Sequence, residues 1–353
     1  MSVSHSGHSF TRRKRINRNT DRLNRRAFLQ GAGFAGAAGL VGLRPDRALA
    51  EPPPETTKLR VATGVFTAIC FAPMFVAGDG LYQAEGFTDI QYVKKGPMFD
   101  VLASGEADIA ATDIGSIIVT IDKGQPVVVL TGLHAGCYEL FGTDRVHAIR
   151  DLEGRRVAVP GLHTGRHLML SAMMVHVGLD PGKVNWVAQP AVESMRLLAE
   201  GKIDAFLGFP PEPQELRAKK VGHLVVSMTT DRPWADYFCC MVFARREFVQ
   251  KSPVAAKHAM RAILKAANVC TTEPARAARH LVDRGLTREF EYTLQMTKEL
   301  PYARWRSYDP ADTMRFYALR LYEAGMIKSG PNKILAQGTD WRFLNELKKE
   351  LKG

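Results

Sequence analysis

Apolar and polar positions follow two alternating periods along most of the chain. Short apolar runs that end in a glycine or a polar turn, at residues 58–64, 88–93 and 109–112, predict strands. Between them, apolar residues spaced three and four apart predict helices, for example at 71–82 and 165–177. Strands that alternate with helices predict βαβ units and parallel sheets covered on both faces.

This alternation occurs in two series. The first series ends with a buried strand at 126–133, and the second contains strands at 156–159, 184–187 and 201–209. A third segment opens with a strand at 223–228. A strand at 237–245 leads back to the first series, and from Ser252 the chain is nearly all helical. We therefore predict an α/β protein with two doubly wound lobes. The predicted bounds are 51–146 for the first part of lobe 1, 147–240 for lobe 2, and 241–353 for the rest of lobe 1.

One segment of the first series is echoed in the second. "LASGEADIAATD" (102–113) and "LLAEGKIDAFLGF" (197–209) share a leucine, a small residue, a glycine, an aspartate and an apolar strand. Each predicts a helix, a turn and a strand that ends at a loop. Ligands of such sheets bind beyond the carboxyl ends of the strands, so the sequence predicts a cleft between paired sheets.

Residues 1–50 have the pattern of an export signal. Arg25 and Arg26 precede Phe28 and Leu29, a thirteen-residue Gly/Ala-rich apolar stretch follows, and "ALA" at 48–50 fits a cleavage site. The apolar stretch is too short to cross a bilayer. The segment resembles a bacterial twin-arginine signal peptide, which predicts export to the periplasm.

The net charge of +12 comes mainly from that same segment. Ten of the 48 basic and two of the 36 acidic residues lie within 1–50, which leaves a balance of +4 for the remainder. A nucleic-acid partner is therefore not predicted. The five cysteines include no CxxC pair, so the fold is not expected to depend on disulfides.

Several blocks of the chain resemble a known family. They include "KLRVATGVFTAICFAPMFVAGDGLYQAEGF", "IRDLEGRRVAVPGLHTGRHLMLSAMMVHVGLDPGKV" and "REFVQKSPVAAKHAMRAILKAA". These blocks are similar to the periplasmic substrate-binding proteins of ABC importers, in the nitrate/sulfonate/taurine (SsuA/TauA-like) and NMT1/THI5-like group. The resemblance implies the type II periplasmic-binding-protein fold, closure on a small ligand, a membrane permease and ATPase as partners, a monomer, and no cofactor.

The loops at the strand ends supply the candidate ligand contacts. The helix start at 163–166 offers unpaired N–H groups, a hydroxyl and a guanidinium to an anionic group. The predicted contacts are Phe66, Thr67, Cys70, Gly115, Ser116, Gly136, Cys137, His163, Thr164, Gly165, Arg166, Phe209, Glu212, Trp234 and Tyr237.

Each of these side chains also has an ordinary structural interpretation. Arg166 and Glu212 could face solvent, Trp234 and Tyr237 could pack at a crossover between the lobes, and Cys137 could fill a small space. Arg166 together with Glu212 favours a zwitterionic or mixed polar–aromatic ligand. A metal held by His163 and His167 lacks a third ligand nearby, so no metal site is predicted.

An enzymatic function is the alternative. Some THI5-like proteins make a thiamine pyrimidine with an iron-binding cysteine-rich motif, and "YFCCMVF" (237–243) resembles that motif superficially. Its alternating apolar residues favour a core strand, and no catalytic triad or phosphate-binding loop is present in the sequence. We predict a binding protein for a sulfonate, carboxylate or pyrimidine, with a THI5-like periplasmic enzyme as the second hypothesis.

Overall fold

The computed structural model describes residues 51–63 and 68–351. The predicted signal peptide and the candidate contacts Phe66 and Thr67 lie outside these residues. In the part of the chain that is described, no helix has both the length and the apolar composition needed to cross a membrane.

Ten strands form two five-stranded sheets within the described residues. The strands are β1 (Lys58–Ala62), β2 (Asp89–Val93), β3 (Ile109–Asp113), β4 (Val127–Ala135), β5 (Glu139–Gly142), β6 (Arg156–Val159), β7 (Asn185–Ala188), β8 (Ala205–Gly208), β9 (His223–Ser227) and β10 (Phe238–Arg245). The first sheet has the order β2-β1-β3-β10-β4, and the second has the order β7-β6-β8-β5-β9.

Helices cover these sheets. They are α1 (Ala72–Val76), α2 (Leu81–Ala84), α3 (Met98–Ala103), α4 (Ile114–Asp122), α5 (Gly165–His176), α6 (Ala191–Ala199), α7 (Glu212–Lys219), α8 (Arg246–Lys251), α9 (Pro253–Thr272), α10 (Pro274–Asp283), α11 (Phe290–Glu299), α12 (Pro310–Glu323), α13 (Pro331–Gly338) and α14 (Arg342–Glu350). The predicted helix at 71–82 is divided between α1 and α2 because Gly80 has a φ of 90°, a conformation that interrupts a right-handed helix.

Both sheets are mixed, whereas the alternation of elements predicted parallel sheets. β10 runs antiparallel to β3 and β4, and β5 runs antiparallel to β8 and β9. β5 and β10 are the first strands that the chain forms after passing from one sheet to the other. Their reversed direction follows from these crossovers, and the remaining pairs of neighbours are parallel as predicted.

The crossovers lie a few residues before the predicted lobe boundaries. β5 (Glu139–Gly142) already pairs within the second sheet, so the first crossover is at 136–138, before the predicted boundary at 146/147. β10 begins at Phe238 within the first sheet, so the return falls before the predicted 240/241 boundary. The short strand β5 has no polar turn that would separate it from β4 in the sequence, which explains the difference.

Each lobe contains an equivalent hydrogen bond between an aspartate and the backbone of a neighbouring strand. Asp108 accepts the backbone N–H of Arg60 at 3.0 Å, and Asp204 accepts the backbone N–H of Arg156 at 2.8 Å. These are the aspartates of the echoed segments, and each acts in the turn before its strand. The sequence echo therefore corresponds to a repeated structural unit.

The hydrophobic core is divided unequally. The larger cluster fills the first lobe, continues along α5 and includes Leu140, Val157, Ala205 and Leu207 of the second sheet. A smaller cluster lies on one face of the second sheet and contains Phe141, Ala158, Leu198, Ile203, Phe206 and Leu216. The C-terminal helices also reach the second lobe, where Arg217 of α7 donates to Glu299 of α11 at 2.8 Å.

Candidate functional site

The carboxyl end of β3 places a buried carboxylate at the start of α4. Asp113 is the N-cap: its Oδ1 accepts the N–H of Ser116 and its Oδ2 accepts the Ser116 hydroxyl, both at 2.8 Å. The residue is 8% exposed. Burial raises the pKa of Asp113 to about 6, and its hydrogen bonds with Ser116 oppose that rise.

The start of α5 presents backbone donors. Thr164 occupies the N-cap position, but its hydroxyl donates to the carbonyl of Gly161 at 2.7 Å and does not cap the helix. Within the described residues, the N–H groups of Gly165, Arg166 and His167 have no hydrogen-bond acceptor. Three unpaired donors at a helix start create a local positive potential.

These two helix starts meet across the lobes. A Cβ atom on Gly165 would lie 2.3 Å from Oδ2 of Asp113, and one on Gly115 would lie 3.1 Å from the Cβ of Leu168. A side chain at Gly165 would therefore displace the Asp113 carboxylate, and one at Gly115 would push against Leu168. We call residues 113–116 and 164–167 the helix-start site. It combines one carboxylate acceptor with several N–H donors.

The predicted ligand contacts Arg166 and Glu212 bind each other. The Nη1 and Nη2 atoms of Arg166 donate to the two carboxylate oxygens at 2.6 and 2.8 Å, and the side chains are 13% and 14% exposed. Glu212 also accepts the N–H of Phe209 at 2.9 Å. The pair lies in the second lobe and is neither solvated nor free. The two charges that favoured a zwitterionic or mixed polar–aromatic ligand are therefore partners of each other in this structure.

Aromatic rings border the contact between the lobes. Phe209, a predicted ligand contact, lies 5.2 Å from Tyr138 and 6.5 Å from Phe71, measured between ring centroids. Phe71 belongs to the first lobe and Tyr138 to the first crossover, so these two rings approach Phe209 from two separate segments. They supply flat apolar surfaces beside the polar groups of the helix-start site.

His163 and His167 form a local contact in the loop before α5. The N–H of His163 donates to Nδ1 of His167 at 3.2 Å, and the His167 ring packs edge-on against Trp186. Burial lowers the pKa of His167 to about 4. Because Nδ1 of His167 accepts a hydrogen bond, this ring is neutral and serves to hold the loop.

Three predicted ligand contacts, Gly136, Cys137 and Cys70, lie in the first crossover or in the first lobe next to it. Gly136 has a φ of 66°, and a Cβ atom there would lie 2.4 Å from Oγ1 of Thr229, on the second crossover. Cys137 and Cys70 are 3% and 0% exposed and lie in a group of buried thiols. The two cysteines are therefore enclosed on the first-lobe side.

Trp234 and Tyr237 pack at the opposite end of α5. The Trp234 ring lies 5.0 Å from His176, and Tyr237 stacks on Phe316 of α12 at 4.0 Å. His176 is the last residue of α5 and Gly165 is the first, so these ends are about 16 Å apart along the axis. The structure thus brings Gly115, Ser116, Thr164 and Gly165 together but not Trp234 or Tyr237.

Sequence reasoning missed Asp113, Tyr138 and Phe71. Asp113 had a recognisable signal, because an aspartate that follows a buried strand and precedes a helix is a typical N-cap. Its approach to α5 had no signal, since that contact joins segments about fifty residues apart. Tyr138 and Phe71 are aromatic residues in apolar surroundings and cannot be distinguished by sequence from core residues.

Comparison with known families assigns the chain. The family model described as "NMT1/THI5 like" matches residues 69–277, more than half of the 353 residues. The chain belongs to the NMT1/THI5-like family. Comparison with curated protein sequences finds no match.

Solved structures similar to this NMT1/THI5-like protein have the predicted fold. The periplasmic nitrate-binding protein NrtA from Synechocystis PCC 6803 superposes with a TM-score of 0.69 at 16% identity, covering 85% of this chain and 90% of that one. The periplasmic aliphatic sulphonate-binding protein SsuA from Escherichia coli gives 0.63 at 15% identity, with 81% and 94% covered. The alkanesulfonate-binding protein SsuA from Xanthomonas axonopodis pv. citri, bound to MOPS, gives 0.64 at 15%, with 83% and 99% covered. The predicted α/β periplasmic-binding-protein fold is confirmed.

Proposed function

We propose that this protein is the substrate-binding component of an ABC importer and that it captures an amino-substituted pyrimidine or a similar heteroaromatic molecule between its lobes. The fold of the similar binding proteins supports the transport function. The observation that carries the ligand class is the meeting of the Asp113 carboxylate with the free N–H groups of α5.

A donor–acceptor pair on one edge of the ligand fits the helix-start site. Because Gly165 contacts Asp113 in this structure, the lobes must move apart to admit a ring. A ring nitrogen of an aminopyrimidine then accepts a hydrogen bond from an N–H of α5, while the neighbouring amino group donates to Asp113. The rings of Phe71, Tyr138 and Phe209 offer flat surfaces on which the heterocycle can stack. Each Asp113 oxygen already accepts one hydrogen bond from Ser116 and has a second lone pair, which favours ligands that offer a donor there.

Simple oxyanions fit the same site less well. The guanidinium of Arg166 already has a carboxylate partner in Glu212, so binding an anion there would require that ion pair to break. Asp113 would also repel a sulfonate or nitrate placed at the start of α5, because a second negative charge at short range is unfavourable in a buried site. This argument favours the pyrimidine class over the sulfonate and carboxylate classes.

Calorimetry with a panel of small molecules tests the proposal. We expect 4-aminopyrimidines to bind, and nitrate, ethanesulfonate and succinate to give no heat. Asp113→Asn should weaken binding at least about tenfold, since the amide replaces one charged acceptor oxygen with a donor. Asparagine remains a good N-cap, so α4 should stay intact.

The exposed Asp100 provides the matched control. Asp100→Asn makes the same chemical change on α3, away from the site, and should leave the affinity unchanged. Tight binding of nitrate or a sulfonate, with the pyrimidines silent, would overturn the ligand assignment. Mass spectrometry of a bound pyrimidine after incubation addresses the enzymatic alternative: recovery of the unchanged molecule supports a binding protein, and conversion of the molecule supports an enzyme.

We also propose that the protein is exported by the twin-arginine pathway, acts as a monomer in the periplasm, and delivers its ligand to a membrane permease with its ATPase. The arginine pair and cleavage pattern within residues 1–50 support this location. Replacing both Arg25 and Arg26 with lysine should retain the protein in the cytoplasm, as measured by cell fractionation. Unchanged periplasmic recovery would contradict the route.

A further inference from the structure

Four buried side chains below the helix-start site converge on one point. Cys70, His134, Cys137 and Cys240 each present a ligand atom, and these atoms all lie within 4.8 Å of one another. None of the four residues is more than 3% exposed. They come from three separate segments: the turn before α1, the stretch from the end of β4 into the first crossover, and β10. We call these four residues the thiol–imidazole cluster.

We propose that the thiol–imidazole cluster binds one thiophilic metal ion, with Zn²⁺ as the expected occupant. Three thiolates and one imidazole are a donor set for tetrahedral Zn²⁺, and Cu(I) prefers the same soft ligands. Donor atoms of such a site are about 3.5–4 Å apart, given zinc–ligand bonds of about 2.0–2.3 Å. The cluster therefore requires only a small contraction.

The orientation of His134 is the second observation that favours a metal. Its Nδ1 lies 3.3 Å from the carbonyl oxygen of Ala135, and its Nε2 is buried with no hydrogen-bond partner among the described residues. When Nδ1–H donates to that carbonyl, the lone pair of Nε2 is available. This is the usual arrangement of a histidine that ligates a metal. A buried nitrogen without a partner is otherwise costly.

The surroundings of the cluster also hold its members in place. The hydroxyl of Tyr302 donates to the carbonyl of Cys70 at 3.0 Å, and the Tyr302 ring packs edge-on against His134. Cys137 has a φ of 127°, which is strained for a residue with a side chain. Strain of this kind is typical of positions with a functional constraint. Cys270, by contrast, is a solitary buried cysteine on α9.

The binding step needs no oxidant. Three thiols release their protons to solvent, three sulfur–metal bonds form, the neutral imidazole contributes its Nε2 lone pair, and the metal keeps its oxidation state. Because Cys137 lies on the first crossover, the metal would tie that connection to the first sheet. The proposal is independent of the ligand that the lobes enclose.

Elemental analysis and metal titration of the purified full chain test the inference. We expect about one zinc ion per chain, and Co²⁺ should give the intense visible bands of a tetrahedral thiolate site. Cys240→Ser and His134→Gln should each lower zinc affinity by more than about a hundredfold, since even an outer contact of such a site is worth ten- to a hundredfold. Cys270→Ala is the matched control and should retain the metal.

Two further measurements keep the result interpretable. Circular dichroism of each variant establishes that it folds, and if Cys240→Ser does not fold, proton release during titration of the wild type with Zn²⁺ or Cu(I) provides the second readout. Release of protons with saturation at one ion supports the site, and the tighter ion identifies the occupant. Absence of binding by both ions, or a disulfide between Cys137 and Cys239, whose sulfurs are 2.7 Å apart, would overturn the proposal.

Discussion

The two lobes share one helix–turn–strand unit and differ in the residues at the carboxyl end of its strand. Asp108 and Asp204 secure equivalent turns, each through the N–H of the strand residue 48 positions earlier. The strands that follow then diverge. β3 ends in Asp113, which faces the other lobe, whereas β8 ends in Gly208, and its nearby carboxylate Glu212 pairs with Arg166 inside its own lobe.

This difference separates the residues that build the fold from those that can recognise a ligand. The repeated aspartates lie at the amino ends of their strands, far from the contact between lobes. The residues at the carboxyl ends are not repeated, because each lobe contributes a different chemical group to the same site: an acceptor from the first and donors from the second. Under the proposed function, this shared framework with divergent ends would hold an asymmetric molecule in one orientation.

Replacing Asp108 or Asp204 with alanine should lower the free energy of unfolding, and Asp108→Ala should have the largest effect of all. Asp108 is 3% exposed and contacts Arg60 and Arg245, whose side chains are 26% and 14% exposed. Asp108→Ala should lower the free energy of unfolding by about 3 kcal/mol, because it removes the buried carboxylate that accepts both the backbone N–H and the guanidinium of Arg60. Asp204→Ala should cost about 1–2 kcal/mol, since its partner Arg145 is half exposed and can be solvated. Urea unfolding measures both, and equal costs would contradict the ranking.

His167 should make the second lobe sensitive to mild acid. Its pKa is lowered from 6.5 to about 4, so between these values the unfolded chain binds more protons and stability falls as the pH falls. At pH 5 the folded protein should lose about 2 kcal/mol relative to pH 7 from this residue alone. His167→Gln should remove that part of the pH dependence. Identical slopes for the variant and the wild type between pH 7 and 5 would show that the histidine is not buried as described.

The close approach of the helix starts should be disturbed by a single methyl group. Gly165→Ala should lower the free energy of unfolding by about 1 kcal/mol, because the new Cβ overlaps Asp113 and the helices must separate. Gly161→Ala is the control in the same loop, where the nearest atom would be at an ordinary 3.5 Å. If both variants unfold alike in urea, the contact between the lobes is not made in solution.

Exposed ion pairs should have the smallest effect in either lobe. Lys95 pairs with Glu106 in the first lobe and Lys183 with Glu153 in the second, and all four side chains are at least 44% exposed. Lys95→Ala and Lys183→Ala should leave the urea midpoint unchanged within error, because water replaces the lost contacts. If the urea midpoint shifts clearly for only one of the two variants, the ion pairs of the two lobes differ in strength.

The sequence was sufficient for the elements and the repeat. Apolar periodicity placed the described strands to within a few residues except β5 (Glu139–Gly142), which was missed, and Gly178, Gly285 and Gly325 follow helices with positive φ angles. The echoed segments were recognisable because anchoring a turn requires the same aspartate in both. The direction of β5 and β10 was not predictable, since strand pairing depends on where the chain crosses between lobes rather than on local pattern.

The site was predictable only in part. Gly115, Ser116, Thr164 and Gly165 were predicted from the signal that helix starts after strands carry, and the structure brings them together; their contact with a ligand stays a prediction. The pairing of Arg166 with Glu212 was not, because two charged residues 46 positions apart do not reveal whether they satisfy each other or a guest. The convergence of four sulfur and nitrogen ligands from distant segments likewise depends on the tertiary fold.

The contact of Gly136 with Thr229 has a mechanical consequence. Both connections between the lobes pass through this one point, and the glycine leaves no side chain to keep them apart. Rotation of one lobe about this pivot therefore lengthens neither connection appreciably, whereas sliding the lobes past each other would stretch both. We expect the lobes to open by rotation about this point, with the cleft widening on the side away from the two crossovers.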